Sequence, residues 1–297
     1  MRRSALVFVW AALRVSSSHA TEFEPRLFIE KPPAGVRTVA LTFDACSGAV
    51  DRRVLDALIE TGAKSTIFVT GRWLRGNAEA LAVMKAHPEQ FEIENHGAMH
   101  VPTDTDTARI FGVRTAGTMD AVRAEIAGGA DAVTKATGAK PRWFRGATAR
   151  YTRDAMDEAT VQGQRIAGYS LNADMGASLP AASVEKRVSA AKSGDVVIGH
   201  INQPTRNAGA GLAAGIRALK ASGARFVRLD EVETRAADGP PISPPRREVE
   251  DQLRVQRDDH RGNDAGRDGH PAGGDELPHL RPAGGEPDQR NHGEGKL

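Results

Sequence analysis

From Val36 to Val232 the chain repeats one pattern: a short β-branched, apolar run, a longer amphipathic or alanine-rich stretch, then a glycine. No other feature limits the fold as much. The runs Thr38–Asp44, Ser65–Thr70, Phe91–His96, Trp143–Thr148, Arg165–Asp174, Asp195–His200 and Arg225–Val232 read as seven strands. The stretches Asp51–Thr61, Asn77–His87, Met119–Thr137, Arg153–Gln162, Ser183–Ser193 and Asn207–Ser222 suit helices. Gly62, Gly138, Gly163, Gly194 and Gly223 stand where those segments should stop, because glycine adopts the left-handed conformation that ends a helix at little cost. Repeated βα units imply a parallel sheet with helices outside, either closed as a barrel or open and doubly wound.

The ends of the chain differ from this middle. Residues 1–20 read as a secretory signal: Arg2 and Arg3 start it, Ala5 to Leu13 is a short apolar run, and Ser18-His19-Ala20 suits cleavage. That run is too short to span a bilayer, so the expectation is a secreted or periplasmic protein with no integral membrane segment after cleavage. Residues 21–235 are expected to form the catalytic domain. From residue 236 to 297 there is no Phe, Trp or Tyr, and Pro, Gly, Arg, Asp and His recur without period, which predicts a disordered tail. Its four histidines lack ligand spacing and read as solvated. The 40 basic and 38 acidic residues are interspersed, so nothing argues for a nucleic-acid partner. A single cysteine, Cys46, excludes an internal disulfide.

The unusual polar residues gather at one place in this pattern. Asp44, His96, Arg145, Asp174 and His200 each lie at or near the C-terminal end of a proposed strand, and in a parallel β/α fold those ends share one face. His96 and His100 are four residues apart, so one helical turn after the strand would aim both imidazoles at a single ion. Such a pair suits Zn²⁺, with Co²⁺, Ni²⁺, Mn²⁺ and Fe²⁺ as alternatives. Amide hydrolysis needs a deprotonated water on one side and a protonated leaving amine on the other. Asp44 fits the base and His200 the acid, with Arg145 holding Asp44 ionised and Asp174 holding the His200 imidazolium.

Thr42-Phe43-Asp44, the His96/His100 pair, Trp143-Phe144-Arg145-Gly146, Asn172-Ala173-Asp174 and Ile198-Gly199-His200 together resemble the ordered motifs of the polysaccharide deacetylase family, also called NodB-homology or carbohydrate esterase family 4. The resemblance implies a distorted (β/α)₇ barrel, a divalent metal, and deacetylation of N- or O-acetylated sugars in a polysaccharide or peptidoglycan. It assigns Asp44 as base, His200 as acid, His96 and His100 as metal ligands, and Arg145 and Asp174 as their partners.

The chain departs from the family in two motifs. Where members carry a second aspartate after the base, completing the metal site, this sequence has Ala45 and then Cys46. Cys46, one residue further along, reads as a small buried hydrophobe rather than a ligand. Where members have Pro-Tyr after the arginine, the sequence runs Gly146-Ala147-Thr148-Ala149-Arg150-Tyr151. Tyr151, Trp73 and Trp143 are the aromatic candidates for a sugar contact, with core packing expected for Trp143. Two other functions fit the same residues: a carbohydrate-binding member that has lost turnover, and a hydrolase of another C–N bond or an ester.

Overall fold

A computed structural model describes residues 22–237; the expected signal, and the expected tail beyond Ala237, lie outside the described residues. In chain order its elements are β1 (Arg26–Ile29), β2 (Thr38–Ala45), α1 (Arg52–Thr61), β3 (Ser65–Val69), α2 (Gly71–Gly76), α3 (Ala78–Lys85) and β4 (Phe91–Asn95). Next come β5 (Arg109–Ile110), β6 (Val113–Arg114), α4 (Met119–Thr137), β7 (Trp143–Phe144), α5 (Arg153–Val161), β8 (Arg165–Ile166) and β9 (Leu171–Asn172). The last are α6 (Ala181–Ser189), β10 (Val196–His200), α7 (Ala208–Ala221), β11 (Arg225–Phe226) and β12 (Thr234–Ala237).

β2 is buried over its whole length, as a continuous apolar run in a parallel sheet should be. It pairs in parallel with β3 and β10, and the sheet runs β8-β7-β4-β3-β2-β10-β9, with β11 added at the start of β2. β8 and β9 belong to the segment expected as one strand, Arg165–Asp174. The segment bends between them, so β8 pairs with β7 and β9 pairs with β10. The chain itself thus joins the two edges of the sheet, giving a distorted (β/α)₇ barrel.

The bend has a local cause. A side chain on Gly168 would put its Cβ 2.0 Å from the carbonyl oxygen of Pro25, so only glycine lets the N-terminal stretch press against the segment there. The strand expected at Trp143–Thr148 likewise stops at Phe144, and a short 3₁₀ turn over Ala147–Ala149 follows, with Thr148 and Ala149 at positive φ.

The longest helix, α4, begins where Thr118 caps the Ala121 amide and ends at Gly138 in the left-handed conformation, with the expected bounds. α2 is an addition, capped by Thr70 on the Trp73 amide; its two glycines hid it from the sequence reading. The antiparallel pair β1–β12 is a second addition, and it draws Ala236 and Ala237 into the sheet opposite Leu27 and Arg26, where the tail was expected to begin. The core has an outer layer between sheet and helices, which includes Val54, Leu58, Ile67 and Ile216, and an inner one of Ala40, Phe68, Trp143 and Val196 closed by Leu27, Ile29 and Leu229. Among the described residues no helix is long and apolar enough to cross a membrane.

Candidate metal and catalytic site

The C-terminal ends of the strands bring the sequence-nominated residues to one face. Asp44 is the penultimate residue of β2, His96 follows β4, Arg145 follows β7, Asp174 lies two residues beyond β9 and His200 ends β10. Pairing in register puts His200 directly beside Asp44.

Arg145 is fully buried and organises one side. Its Nη1 donates to Asp44 Oδ1 at 3.0 Å, while Nε and Nη2 donate to the carbonyls of Ala167 and Gly168 at 3.0 and 3.1 Å. Those carbonyls belong to the β8–β9 bend, so the broken strand supplies the acceptors that hold the guanidinium. Its plane also lies over Phe68, 4.2 Å from the ring centroid. Burial pushes the Asp44 carboxyl up, but the charges of His96, Arg145 and His200 and the Arg145 hydrogen bond outweigh it and hold the group below its ordinary value.

The other side is an aspartate–histidine pair. His200 Nδ1 stands 3.0 Å from Asp174 Oδ1, and Asp174 Oδ2 also accepts the His200 amide at 2.7 Å. Burial works against the imidazolium, yet the charge and hydrogen bond of Asp174, with a further hydrogen bond to Cys46, raise it well above the ordinary histidine value.

His96 lies between them. Its Nδ1 is 2.6 Å from the Arg145 carbonyl oxygen, a contact that requires a proton on that nitrogen and leaves the Nε2 lone pair facing the site. Nε2 is 3.8 Å from Asp44 Oδ2 and 3.5 Å from Cys46 Sγ. Burial lowers the His96 pKa, more than the Asp44 charge and the Arg145 carbonyl raise it, so the ring is the neutral form that a metal needs. One donor atom each from Cys46, His96 and His100 lie within 4.8 Å of one another. That sulfur–nitrogen set, buried at two of its three members, fits a divalent ion of the zinc type.

Two readings of this region need correction. His96 and His100 converge through a loop, not a helical turn: Gly97 has φ 90° and His100 φ 65°. Cys46 is buried, as expected, but it faces the histidines, because alternation along an extended strand puts residue 46 on the side of residue 44.

The loop is fixed by residues the sequence reading did not nominate. Glu125, buried on α4, accepts the amides of Met99 and Val101 at 3.0 Å. Asn95 accepts the Gly97 amide at 2.8 Å. A Cβ on Gly97 would fall 2.3 Å from Glu125 Oε1, so loop and helix fit only with glycine at that position.

The aromatic candidates for a sugar contact are all buried. Tyr151 is fully buried and its hydroxyl accepts the Gly146 amide at 2.9 Å; Trp73 and Trp143 are buried in the core at 1% and 2% exposure.

Residues 31–167 match the polysaccharide deacetylase family model. This stretch is a polysaccharide deacetylase domain. Solved structures share the fold at low identity. The peptidoglycan N-acetylglucosamine deacetylase Bc1960 is 22% identical over 68% of this chain and 90% of its own, with a TM-score of 0.55. The peptidoglycan deacetylase PdaC from Bacillus subtilis is 18% identical over 78% of this chain and 98% of its own, at 0.53. A carbohydrate esterase family 4 pseudoenzyme from Bacillus anthracis is 21% identical over 67% of this chain and 66% of its own, at 0.52. A mutant of that pseudoenzyme has restored enzymatic activity. The chain thus spans about two thirds of the pseudoenzyme's length. No curated protein sequence matches the chain significantly.

Proposed function

We propose that this polysaccharide deacetylase domain is a metal-assisted hydrolase that removes acetyl groups from N-acetylated, or O-acetylated, sugars of a polysaccharide or peptidoglycan, after export by the leader at residues 1–20. The observation that carries the reading is the opposed pair: an aspartate held ionised by a buried arginine beside a histidine held protonated by a buried aspartate. A binding surface has no use for a base and an acid set against each other.

In this reading Asp44 accepts the proton of the attacking water on Oδ2, the oxygen that Arg145 leaves free. His200 gives its proton to the departing amine, and Asp174 keeps the ring turned so that Nε2 faces the bond. His96 and His100 hold a divalent metal, Zn²⁺ first among those named above, which when bound supplies Lewis acidity toward the water and the acetyl carbonyl.

A second reading rests on Ala45. With the family's second aspartate absent, the domain would bind acetylated sugars without turning them over; a family 4 pseudoenzyme is among the proteins that share its fold. Acetate release from N-acetylglucosamine oligomers and from peptidoglycan, with chelator and with added Zn²⁺ or Co²⁺, separates the two. Metal-dependent acetate is the expected result. A folded protein that takes up metal, binds these polymers and releases no acetate would replace the first reading with the second.

A further inference from the structure

We propose that Cys46 is the anionic metal ligand that stands in for the aspartate missing at Ala45, making the centre a Cys-His-His site of mixed sulfur and nitrogen donors. This rests on the metal-binding half of the reading above and not on deacetylation. Three observations carry it. Sγ is 3.5 Å from His96 Nε2, and it and a ring nitrogen from each of His96 and His100 all lie within 4.8 Å of one another, a spacing that one tetrahedral ion bridges by drawing the donors in by up to about 1 Å. Asp44 is committed elsewhere, since one oxygen is held by Arg145 at 3.0 Å and the other is the proton acceptor of the reading above. Finally, the backbone that carries Cys46 is fixed from three directions: Thr70 Oγ1 donates to the Cys46 carbonyl at 2.6 Å, Asn202 Nδ2 to that of Ser47 at 2.6 Å, and Asn77 Nδ2 to that of Gly48 at 2.9 Å.

The substitution conserves charge. A thiolate brings the same single negative charge as a carboxylate, so two neutral imidazoles and one anion still leave a divalent ion with net positive charge and an open position. What changes is softness. Sulfur ligation favours Zn²⁺ and Co²⁺ over Mn²⁺ and Mg²⁺, so the centre should discriminate among ions that an all-oxygen-and-nitrogen site tolerates. The route to this ligand set is geometric: strand alternation turns residue 45 into the outer core and returns residue 46 to the inner face.

The test is cobalt titration of the full chain, stripped with chelator and kept reduced, followed by absorption in the near ultraviolet. Thiolate ligation gives an intense sulfur-to-cobalt charge-transfer band, and because the sequence holds one cysteine the band can come only from Cys46. The expected result is a band that saturates with one ion per chain, disappears when Zn²⁺ displaces the cobalt, and resists Mn²⁺. A Cys46→Ser variant should still bind cobalt, without the band and at least about tenfold more weakly, since even removal of a residue behind the ligands costs that much. Should the variant fail to fold, the wild-type spectrum alone decides. Cobalt that saturates the wild type with no band would leave Cys46 as a hydrogen-bond partner of His200 and overturn the proposal, as would a folded chain that binds no cobalt. A band without acetate release sinks the deacetylase reading and keeps this one; acetate release without a band does the reverse.

Discussion

The barrel buries carboxyl groups at both of its ends and treats them in opposite ways. At the C-terminal end Asp44 sits against Arg145, the one Lys or Arg that is fully buried among the described residues, and it stays ionised. At the N-terminal end Glu92 and Glu94 share the inner face of β4 with His96, but the guanidinium that faces Glu92, from Arg142, is 62% exposed and stands 3.5 Å away. Burial, and after it the charge of Glu92, push the Glu94 carboxyl up to about 9, so it holds its proton at neutral pH. The amides of Arg142 and Trp143, both donating to Oε2 at 2.8 Å, pull toward the ionised form without overcoming burial. One scaffold thus makes a base at one end and a neutral hydrogen-bonding group at the other. A buried cation decides which.

The largest effect should come from erasing that difference. Arg145→Met leaves Asp44 buried without its partner, and loss of one member of a buried ion pair costs about 3–5 kcal/mol. Denaturant unfolding should show that loss, and acetate release should vanish with it; a variant as stable as the wild type would deny Arg145 its part in the contrast. Asp174→Asn probes the acid. The Asp174 charge raises the His200 pKa, so protonated His200 persists as pH rises and is lost only near that raised value. With asparagine the pKa drops, and the alkaline limb of the kcat/KM profile should move to lower pH, with turnover reduced by about 10²–10⁴-fold. An unmoved limb would remove His200 from the role of acid.

A smaller effect is expected at Gly97. Alanine there meets Glu125 Oε1 and must hold a positive φ, a strain of about 1–3 kcal/mol. Cobalt affinity should fall while the rest of the barrel stays folded, and unchanged affinity would show that the loop is not what positions the histidines. The smallest belongs to the opposite end, at Glu94→Gln. The native group is protonated in the folded state and ionised in the unfolded one between about pH 4.5 and 9, so its contribution is full below that window and shrinks as pH rises through it. Glutamine keeps both hydrogen-bonding functions and has no proton to lose. The variant should match the wild type near pH 5 and gain on it toward pH 9, and a pH-independent difference in unfolding free energy would show that Glu94 does not titrate in this way.

What the sequence disclosed and what it concealed divide along physical lines. Asp44, His96 and His200 were legible because a polar residue closing an apolar run is conspicuous, and parallel strands gather such residues on one face. The His96/His100 spacing points to two rings that do converge, but through a turn made by positive-φ residues and not by helix. Cys46 reads as an inert hydrophobe when its register is counted from Ala45, although its inner-facing neighbour along the strand is Asp44. Glu125 was hidden: a glutamate on an amphipathic helix reads as solvated surface. The signal that would have found it is Gly128-Gly129 in the middle of α4, costly in a helix and explained by the approach of the histidine loop, where a Cβ on Gly129 would lie 2.5 Å from the Gly97 carbonyl carbon. Glu92 and Glu94 were hidden in the same way, as apparent alternation of a half-exposed strand.

β2 carries a last consequence, for how the chain acquires its shape. It is the first barrel strand to leave the ribosome, yet it pairs with β10 and β11, which follow it by some 150 residues or more. β1 waits longer still, for Thr234–Ala237. Asp44 therefore has no neighbouring histidine from β10 until the chain has been made as far as His200. Any nascent chain shorter than this lacks both the barrel's closure and its chemistry, and folding must begin from contacts far apart in sequence, a topology that lowers folding rate.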